Sequence, residues 1–203
     1  LSMLIIPRIL IVALTKRLFD MPNERKIHTG AIPRLGGISF APTILFSLAF
    51  VSAISYLGYL YGLKIPQNIT PHITPDFYLL TCGLIVLYLA GIKDDLIGLR
   101  YHTKFIVQIL AASLLPLSGL WINDFYGLFG IYELAPWIGM PLTIFAIVFI
   151  TNAINLIDGI DGLASGLSGT ALLILGSLFL HQHMWSYAML SFSTLGVLIP
   201  FFY

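Results

Sequence analysis

Five long stretches of the chain contain no Asp, Glu, Lys or Arg, and these stretches constrain the fold more than any other feature. A helix needs about 20 mainly apolar residues to cross a bilayer. Each of the first four stretches therefore predicts one span, and the last predicts two spans with a break at His181-Gln182-His183. An apolar run at residues 1–15 predicts the end of a further helix, so that about seven spans are expected. The uncharged stretches are 35–63, 77–92, 105–123, 134–157 and 162–203.

The composition excludes a water-soluble fold. The 203 residues are 58% hydrophobic and 9% charged, whereas soluble domains carry about 25% charged residues. We therefore predict an all-α integral membrane protein, a polytopic transmembrane helix bundle whose partner is the lipid bilayer and not a nucleic acid. Because the chain begins at Leu1 and stops on an apolar run at Tyr203, we expect it to be a truncated part of a larger protein.

The positive charges predict the orientation of the spans. Eight Lys and Arg residues fall between spans one and two or between spans three and four, whereas the loop between spans two and three holds only Lys64. The positive-inside rule places the two basic loops in the cytoplasm. Spans three and five then run inward, so the acidic residues at their ends are expected on the cytoplasmic face. The eight residues are Lys16, Arg17, Arg25, Lys26, Arg34, Lys93, Arg100 and Lys104.

An acidic pair, Asp94-Asp95, is expected at the inner end of span three. Acidic residues at a helix C-terminus are disfavoured by the helix dipole, so a pair of them needs another explanation. Neighbouring side chains on a helix point about 100° apart, which indicates that the two carboxylates divide their tasks. The alternative is a solvated helix end that Lys93 and Arg100 neutralise.

A second polar cluster ends span five, where Asn152, Asn155, Asp158 and Asp161 recur every third residue. Residues three apart share a helix face. Amides at membrane depth face a bundle interior or a wet cavity, because lipid cannot hydrogen-bond to them. Gly159 lets the backbone turn and approach a ligand closely. The alternative is hydrogen bonding between helices together with a helix cap.

A third cluster combines basic residues with glycines between Arg25 and Gly37. Basic residues beside a membrane often only anchor the chain to anionic lipid. Arg34 next to Gly36-Gly37, at the start of a helix, favours phosphate instead, because exposed backbone N–H groups and the helix dipole attract anions.

Together the clusters predict a pocket of carboxylates, cations and glycine backbone at the membrane surface. Two anions about 4 Å apart repel by about 4 kcal/mol at an intermediate dielectric constant, so carboxylates alone would exclude a phosphorylated substrate. Mg²⁺ turns this repulsion into attraction, since it binds one or two carboxylates together with substrate phosphates. The pattern therefore predicts metal-assisted phosphoryl chemistry on a lipid-linked substrate.

The order and spacing of the clusters resemble the polyprenyl-phosphate N-acetylhexosamine-1-phosphate transferases, a superfamily of the glycosyltransferase 4 type. Arg34-Leu35 and Leu96 favour its WecA/TagO-like branch over the related MraY translocases. The motifs that carry the resemblance are His28…Pro33-Arg34-Leu35-Gly36-Gly37, then Asp94-Asp95-Leu96-Ile97-Gly98-Leu99, then Asn152…Asn155…Asp158-Gly159-Ile160-Asp161-Gly162-Leu163.

The resemblance implies that residues 1–203 are a single transmembrane domain of a larger multi-pass transferase. This enzyme would lie in the cytoplasmic (inner) membrane, with its active site facing the cytoplasm. It would transfer N-acetylglucosamine-1-phosphate from UDP-GlcNAc, or another UDP-N-acetylhexosamine, to undecaprenyl phosphate and release UMP. This is the first membrane step of a cell-surface glycan such as O-antigen or teichoic acid. The implied cofactor is Mg²⁺, with Mn²⁺ as the alternative ion. Gly166 and Gly169 would permit close helix packing within one chain or in a homodimer.

Position by position, the resemblance implies catalytic roles for four aspartates, Asp94, Asp95, Asp158 and Asp161. Asp94 and Asp95 are also the expected metal ligands, one of them serving as base on the acceptor phosphate. The family has a further Asp metal ligand, which is expected beyond residue 203, so these residues alone are predicted to be inactive. The expected substrate-binding residues are Asn152, Asn155, Gly159, Lys104, His28 and Arg34.

Three alternatives stay open from the sequence. One is an MraY-like phospho-N-acetylmuramoyl-pentapeptide transferase. Another is an ion-coupled membrane transporter, although transporter sites lie near the membrane midplane between inverted repeats, and here the acids cluster at span ends. The third is an inactive scaffold for glycan assembly, against which the intact acids argue.

Overall fold

The computed structural model describes residues 7–8, 11, 19–20, 32–33, 36–62, 74–158 and 162–201. These residues belong to two compact units, one drawn from residues 1–73 and 158–203 and the other from residues 74–157. Pro7, Arg8 and Ile11 are helical, and the remaining described residues are dominated by six α-helices, which confirms the all-α prediction. These helices are α1 (Phe40–Leu60), α2 (Pro75–Ile97), α3 (Tyr101–Leu117), α4 (Pro136–Ile157), α5 (Leu163–His181) and α6 (Trp185–Leu198).

Four helices of the described residues are long and apolar enough to cross a membrane. By contrast, α3 has 17 residues and α6 has 14, fewer than the about 20 of a full span. The membrane class is confirmed, and the count of about seven spans stays a prediction. Most of residues 1–15 lie outside the described residues. The four candidate spans are Gly37–Leu60, Pro75–Ile97, Pro136–Ile157 and Leu163–His181.

The helices expose large apolar side chains, as lipid-facing helices do. Leu110 of α3 is 60% exposed and Phe149 of α4 is 62% exposed, and α1 presents Phe50 in the same way. Apolar surface exposed to this extent marks a contact with membrane or protein. The buried positions are mostly small residues such as Ala112 and Ala188, which let helix backbones approach one another closely.

In the first unit, α5 and α6 form a helical hairpin at the predicted break. His181 ends α5, and His183 has a left-handed φ of 59°. The Met184 N–H then donates to the Phe179 carbonyl oxygen at 2.8 Å. The break predicted at His181-Gln182-His183 is therefore confirmed.

The first unit also contains α1 and a short strand pair. Helix α6 packs against both α5 and α1. Gly176 of α5 is buried at the ring of Phe192, where an added Cβ would lie 3.0 Å from the nearest ring atom. Strands β1 (Phe19–Asp20) and β2 (Ile32–Pro33) pair antiparallel, and a 3-10 turn, Gly36–Ser39, leads into α1.

In the second unit, α3 packs against both α2 and α4. Helix α2 begins with Pro75 and carries Asp76 in its first turn, as suits a helix N-terminus. It ends at Gly98, whose φ is 70°, a backbone conformation that favours glycine. Gly83 is buried against α3, where an added Cβ would lie 3.0 Å from the Ala111 carbonyl oxygen. The turn at Gly98 places the start of α3 beside the end of α2, and the packing of Gly83 against Ala111 keeps the two helices close farther along.

The loop between α3 and α4 folds back onto α4. Its backbone N–H at Ile122 donates to the Thr143 hydroxyl at 2.8 Å, and that hydroxyl donates to the Gly139 carbonyl oxygen at 2.7 Å. Gly139 is buried, and an added Cβ would overlap the Ile122 carbonyl oxygen and the Trp121 ring. The loop thus depends on a glycine in the first turn of α4.

Candidate active site

The acidic pair lies in the last turn of α2, as predicted, and the start of α3 supplies a cation to it. The Lys104 ammonium lies 2.6 Å from Oδ2 of Asp94. Lys104 and Asp94 are 38% and 31% exposed, so the ion pair is partly open to solvent. Lys104 was predicted to bind substrate, and the structure gives it Asp94 as a partner.

The other oxygen of Asp94 is held by the backbone of the turn between the helices. The Leu99 N–H donates to Oδ1 of Asp94 at 2.8 Å, and the Gly98 N–H donates to the Asp94 carbonyl oxygen at 2.8 Å. Both carboxylate oxygens of Asp94 therefore have a donor, and the side chain has a defined orientation.

Asp95 has a different environment from Asp94. Its side chain is exposed, whereas that of Asp94 is half-buried. Side chains at adjacent helix positions point about 100° apart. The Asp95 side chain therefore points in a different direction from the Asp94 side chain, which pairs with Lys104. The two carboxylates are thus physically distinct, as a division of tasks between them requires.

The amides of the second cluster lie in the last turns of α4, and they also differ from each other. Asn152 is half-buried, and its Nδ2 donates to Oε1 of Gln108 and to the Val148 carbonyl oxygen, both at 2.8 Å. Asn155 is exposed. Asn152 has the packed environment that was predicted for such amides, whereas Asn155 is exposed, which is neither of the two predicted environments.

Gln108 is a site residue that the sequence reasoning missed. It lies four residues after Lys104 on α3, so the two side chains share one face of the helix. A signal was present, because Gln108 is the only polar residue between positions 105 and 112. A polar side chain inside a membrane helix is costly unless it finds a partner, and Asn152 on α4 is that partner.

The other predicted site residues are not all described. Asp158 is exposed and directly follows α4, and it belongs to the first unit. Gly162, with a φ of 73°, precedes α5. His28, Arg34, Gly159 and Asp161 lie outside the described residues, so their roles stay predictions. The second unit therefore brings together Asp94, Lys104, Gln108 and Asn152, with Asp95 beside them.

A magnesium site would have to draw on few protein ligands. Among the described ranges, no group of three or more His, Cys, Asp or Glu residues is placed to hold a metal ion. Mg²⁺ needs only one or two carboxylates when phosphates and water complete its shell. Asp95 fits that requirement better than Asp94 because Asp95 is exposed, whereas Asp94 is half-buried.

The fold and this site define a class: a helical membrane protein with a lysine and paired carboxylates gathered at the ends of its helices. The chain belongs to glycosyl transferase family 4, whose sequence profile matches residues 77–203. The matched segment begins at the third residue of α2 and runs through α6, so it contains every described site residue.

Three similar proteins carry names of one kind. An undecaprenyl-phosphate alpha-N-acetylglucosaminyl 1-phosphate transferase of Yersinia pestis is 32% identical over 94% of this chain and 47% of its own length. The corresponding transferase of Escherichia coli (strain K12) is 30% identical over 91% of the chain and 46% of its own length. A probable undecaprenyl-phosphate N-acetylglucosaminyl 1-phosphate transferase of Bacillus subtilis (strain 168) is 34% identical over 82% of this chain and 42% of its own length.

The resemblance to the WecA/TagO-like transferases is thereby confirmed. The chain spans about half the length of these curated relatives. No solved structure matches the chain.

Proposed function

We propose that the full-length protein transfers N-acetylglucosamine-1-phosphate from UDP-GlcNAc to undecaprenyl phosphate and releases UMP. The observation that carries this proposal is the Asp94–Lys104 ion pair beside an exposed Asp95 at the end of a membrane helix. The names of the relatives support the lipid acceptor and the N-acetylglucosaminyl 1-phosphate group.

The reaction exchanges one phosphoanhydride for another. An oxygen of the lipid phosphate attacks the phosphorus that carries the sugar, and the bond from this phosphorus to the UMP oxygen breaks. The sugar-1-phosphate joins the lipid phosphate, and UMP leaves with the electron pair of the broken bond. Because one anhydride bond replaces another, the reaction is expected to run in both directions.

The protein groups would orient the two anionic substrates and offset their charge. Lys104 has further N–H donors besides the one on Asp94, and its partial exposure lets a phosphate oxygen reach them. Asp94, held by Lys104 and the Leu99 N–H, would accept a proton from the acceptor phosphate or orient it. Positioning and electrostatic stabilisation of this kind supply most of the catalysis in phosphoryl transfer.

Mg²⁺ is proposed as the cofactor, with Asp95 as its ligand in the described part of the chain. When bound, the ion would offset the negative charge of the phosphates beside the carboxylates. This assignment narrows the sequence prediction, which named both Asp94 and Asp95.

The active site is proposed to face the cytoplasm, with the protein in the cytoplasmic membrane. The end of α2 and the start of α3 carry Lys93, Arg100 and Lys104, and the positive-inside rule favours such an end inside the cell. Nucleotide sugars would reach the site from that side.

The test is an isotope exchange assay with the full-length protein in detergent or vesicles. Labelled UMP, unlabelled UDP-GlcNAc, Mg²⁺ and undecaprenyl phosphate are mixed, and label entering UDP-GlcNAc is measured. We expect exchange that depends on the lipid phosphate. A folded protein without exchange would instead support a transporter or a scaffold. Repeating the assay with other UDP-N-acetylhexosamines identifies the donor.

Replacing Lys104 by Met should lower turnover at least about tenfold, since a charge-assisted hydrogen bond is lost. The half-exposed ion pair contributes at most about 1 kcal/mol to the free energy of unfolding, so the protein should stay folded. Exchange rate and thermal midpoint are measured in parallel. Lys104→Arg keeps the charge and should retain most of the activity; equal rates for Lys104→Met and wild type would contradict a role for this lysine.

A further inference from the structure

We propose that Gln108 is a positioning residue that holds the last turns of α4 in register with the acidic end of α2. The inference rests on the proposed function and adds a residue to its site. Gln108 is not required to touch substrate; it acts through the Asn152 amide.

The hydrogen bonds orient both amides without ambiguity. The Val148 carbonyl oxygen only accepts, so the group of Asn152 that faces it is the nitrogen, Nδ2. The same nitrogen donates to Gln108, which must therefore present Oε1. Both N–H groups of Asn152 are then engaged, and its carbonyl oxygen is the group that remains for a ligand.

Gln108 and Lys104 make α3 the link between two polar helix ends. The two residues are four apart on one face of α3, about 6 Å along its axis. Lys104 pairs with Asp94 on α2, at 2.6 Å. Gln108 pairs with Asn152 on α4, at 2.8 Å. One helix face thus contacts the acidic cluster and the amide cluster together.

The hydrogen bond between Gln108 and Asn152 lies in partly buried surroundings, so its loss should affect the end of α4. Both partners are half-buried, and the next turn of α3 continues with the buried small residues Ala111 and Ala112. Removing the acceptor would leave an N–H of Asn152 without its partner at a helix contact, which costs more than losing an exposed hydrogen bond. The end of α4 would shift or fluctuate, and small displacements of a site lower the rate of reaction steeply.

The experiment is a double-mutant cycle in the full-length protein. Gln108→Met, Asn152→Leu and the double variant are assayed for kcat and for KM of UDP-GlcNAc. We expect Gln108→Met to lower kcat about fivefold, the effect of one lost hydrogen bond, and to lower the thermal midpoint slightly because an N–H of Asn152 loses its partner, while KM stays close to wild type. The double variant should lose no more than Asn152→Leu alone, because both substitutions break the same contact.

Ser113→Ala is the matched control, since its hydroxyl bonds only within α3, to the Leu110 carbonyl oxygen. This variant should keep wild-type kcat. A second measurement, hydrogen–deuterium exchange, reports position directly: the amides in the last turns of α4 should exchange faster in Gln108→Met and not in Ser113→Ala.

The two readouts separate the two proposals. An unchanged kcat with unchanged α4 protection in Gln108→Met would refute the positioning role, and so would losses that multiply in the double variant. If the wild-type protein transfers no label from UMP to UDP-GlcNAc, the proposed function is refuted. The hydrogen–deuterium measurement would still decide the role of Gln108.

Discussion

Replacing Asp95 by Asn in the full-length protein is expected to lower turnover by about 10²- to 10⁴-fold, because the ion that Asp95 is proposed to bind would supply several kcal/mol of charge stabilisation. The variant should also need a higher Mg²⁺ concentration for half-maximal rate, because the exposed Asp95 carboxylate is the proposed metal ligand. Asparagine keeps the shape of the side chain, so insertion and folding should be unaffected. Exchange rates across a Mg²⁺ titration, with thermal midpoints, provide the measurement.

Asp94→Asn is the matched variant one residue away. Its loss of turnover should be of similar size, but its Mg²⁺ requirement should match that of the wild type, since Asp94 is half-buried and is proposed to act on the acceptor phosphate and not on the ion. Identical Mg²⁺ shifts in the two variants would contradict the proposed division of tasks. Wild-type turnover in both would remove the acidic pair from the mechanism.

Gly139→Ala should lower the free energy of unfolding by about 2–3 kcal/mol, the cost of forcing extra atoms into a packed site. The new methyl group would overlap the Ile122 carbonyl oxygen and the Trp121 ring. Relief requires the loop to move away from α4, which breaks the bond from the Ile122 N–H to Thr143. Denaturant unfolding in detergent micelles measures the change.

Gly91→Ala is its control, a substitution of the same kind inside α2. No atom lies within 4 Å of the position of its added Cβ, and alanine is favoured over glycine in a helix by about 0.5–1 kcal/mol. This variant should be neutral or stabilised. If Gly139→Ala and Gly91→Ala lower the free energy of unfolding equally, the loop contact does not explain the need for glycine at position 139.

Much of the fold was predictable because its signals are local. The absence of charge over long stretches, the polar His181-Gln182-His183 break and the acids at the end of an apolar run each act through neighbouring residues. The membrane class and the place of Asp94-Asp95 at a helix end followed from them, whereas α3 ends at Leu117, before the uncharged stretch 105–123 ends. The break was predicted from three polar residues inside a long apolar stretch, and the structure places it at His183, whose φ is 59°.

The partners within the candidate site were less predictable. Lys93 and Arg100 are nearer to Asp94 in sequence, and Lys104 reaches it only because the turn at Gly98 reverses the chain. Gln108 carried no motif, and its importance emerged from its contact with Asn152. His28, Arg34, Gly159 and Asp161 stay predictions from the sequence, since they lie outside the described residues.

Sequence alone determined that this chain enters a membrane as helices and that its carboxylates lie at a helix end, because hydrophobicity and charge act on a segment wherever it later packs. Only the tertiary structure decided that Lys104 pairs with Asp94 in the acidic cluster and that Gln108 pairs with Asn152 in the amide cluster. Those choices depend on how closely α2, α3 and α4 approach, as at Gly83 against Ala111, and a distance between helices is not a property of any one segment.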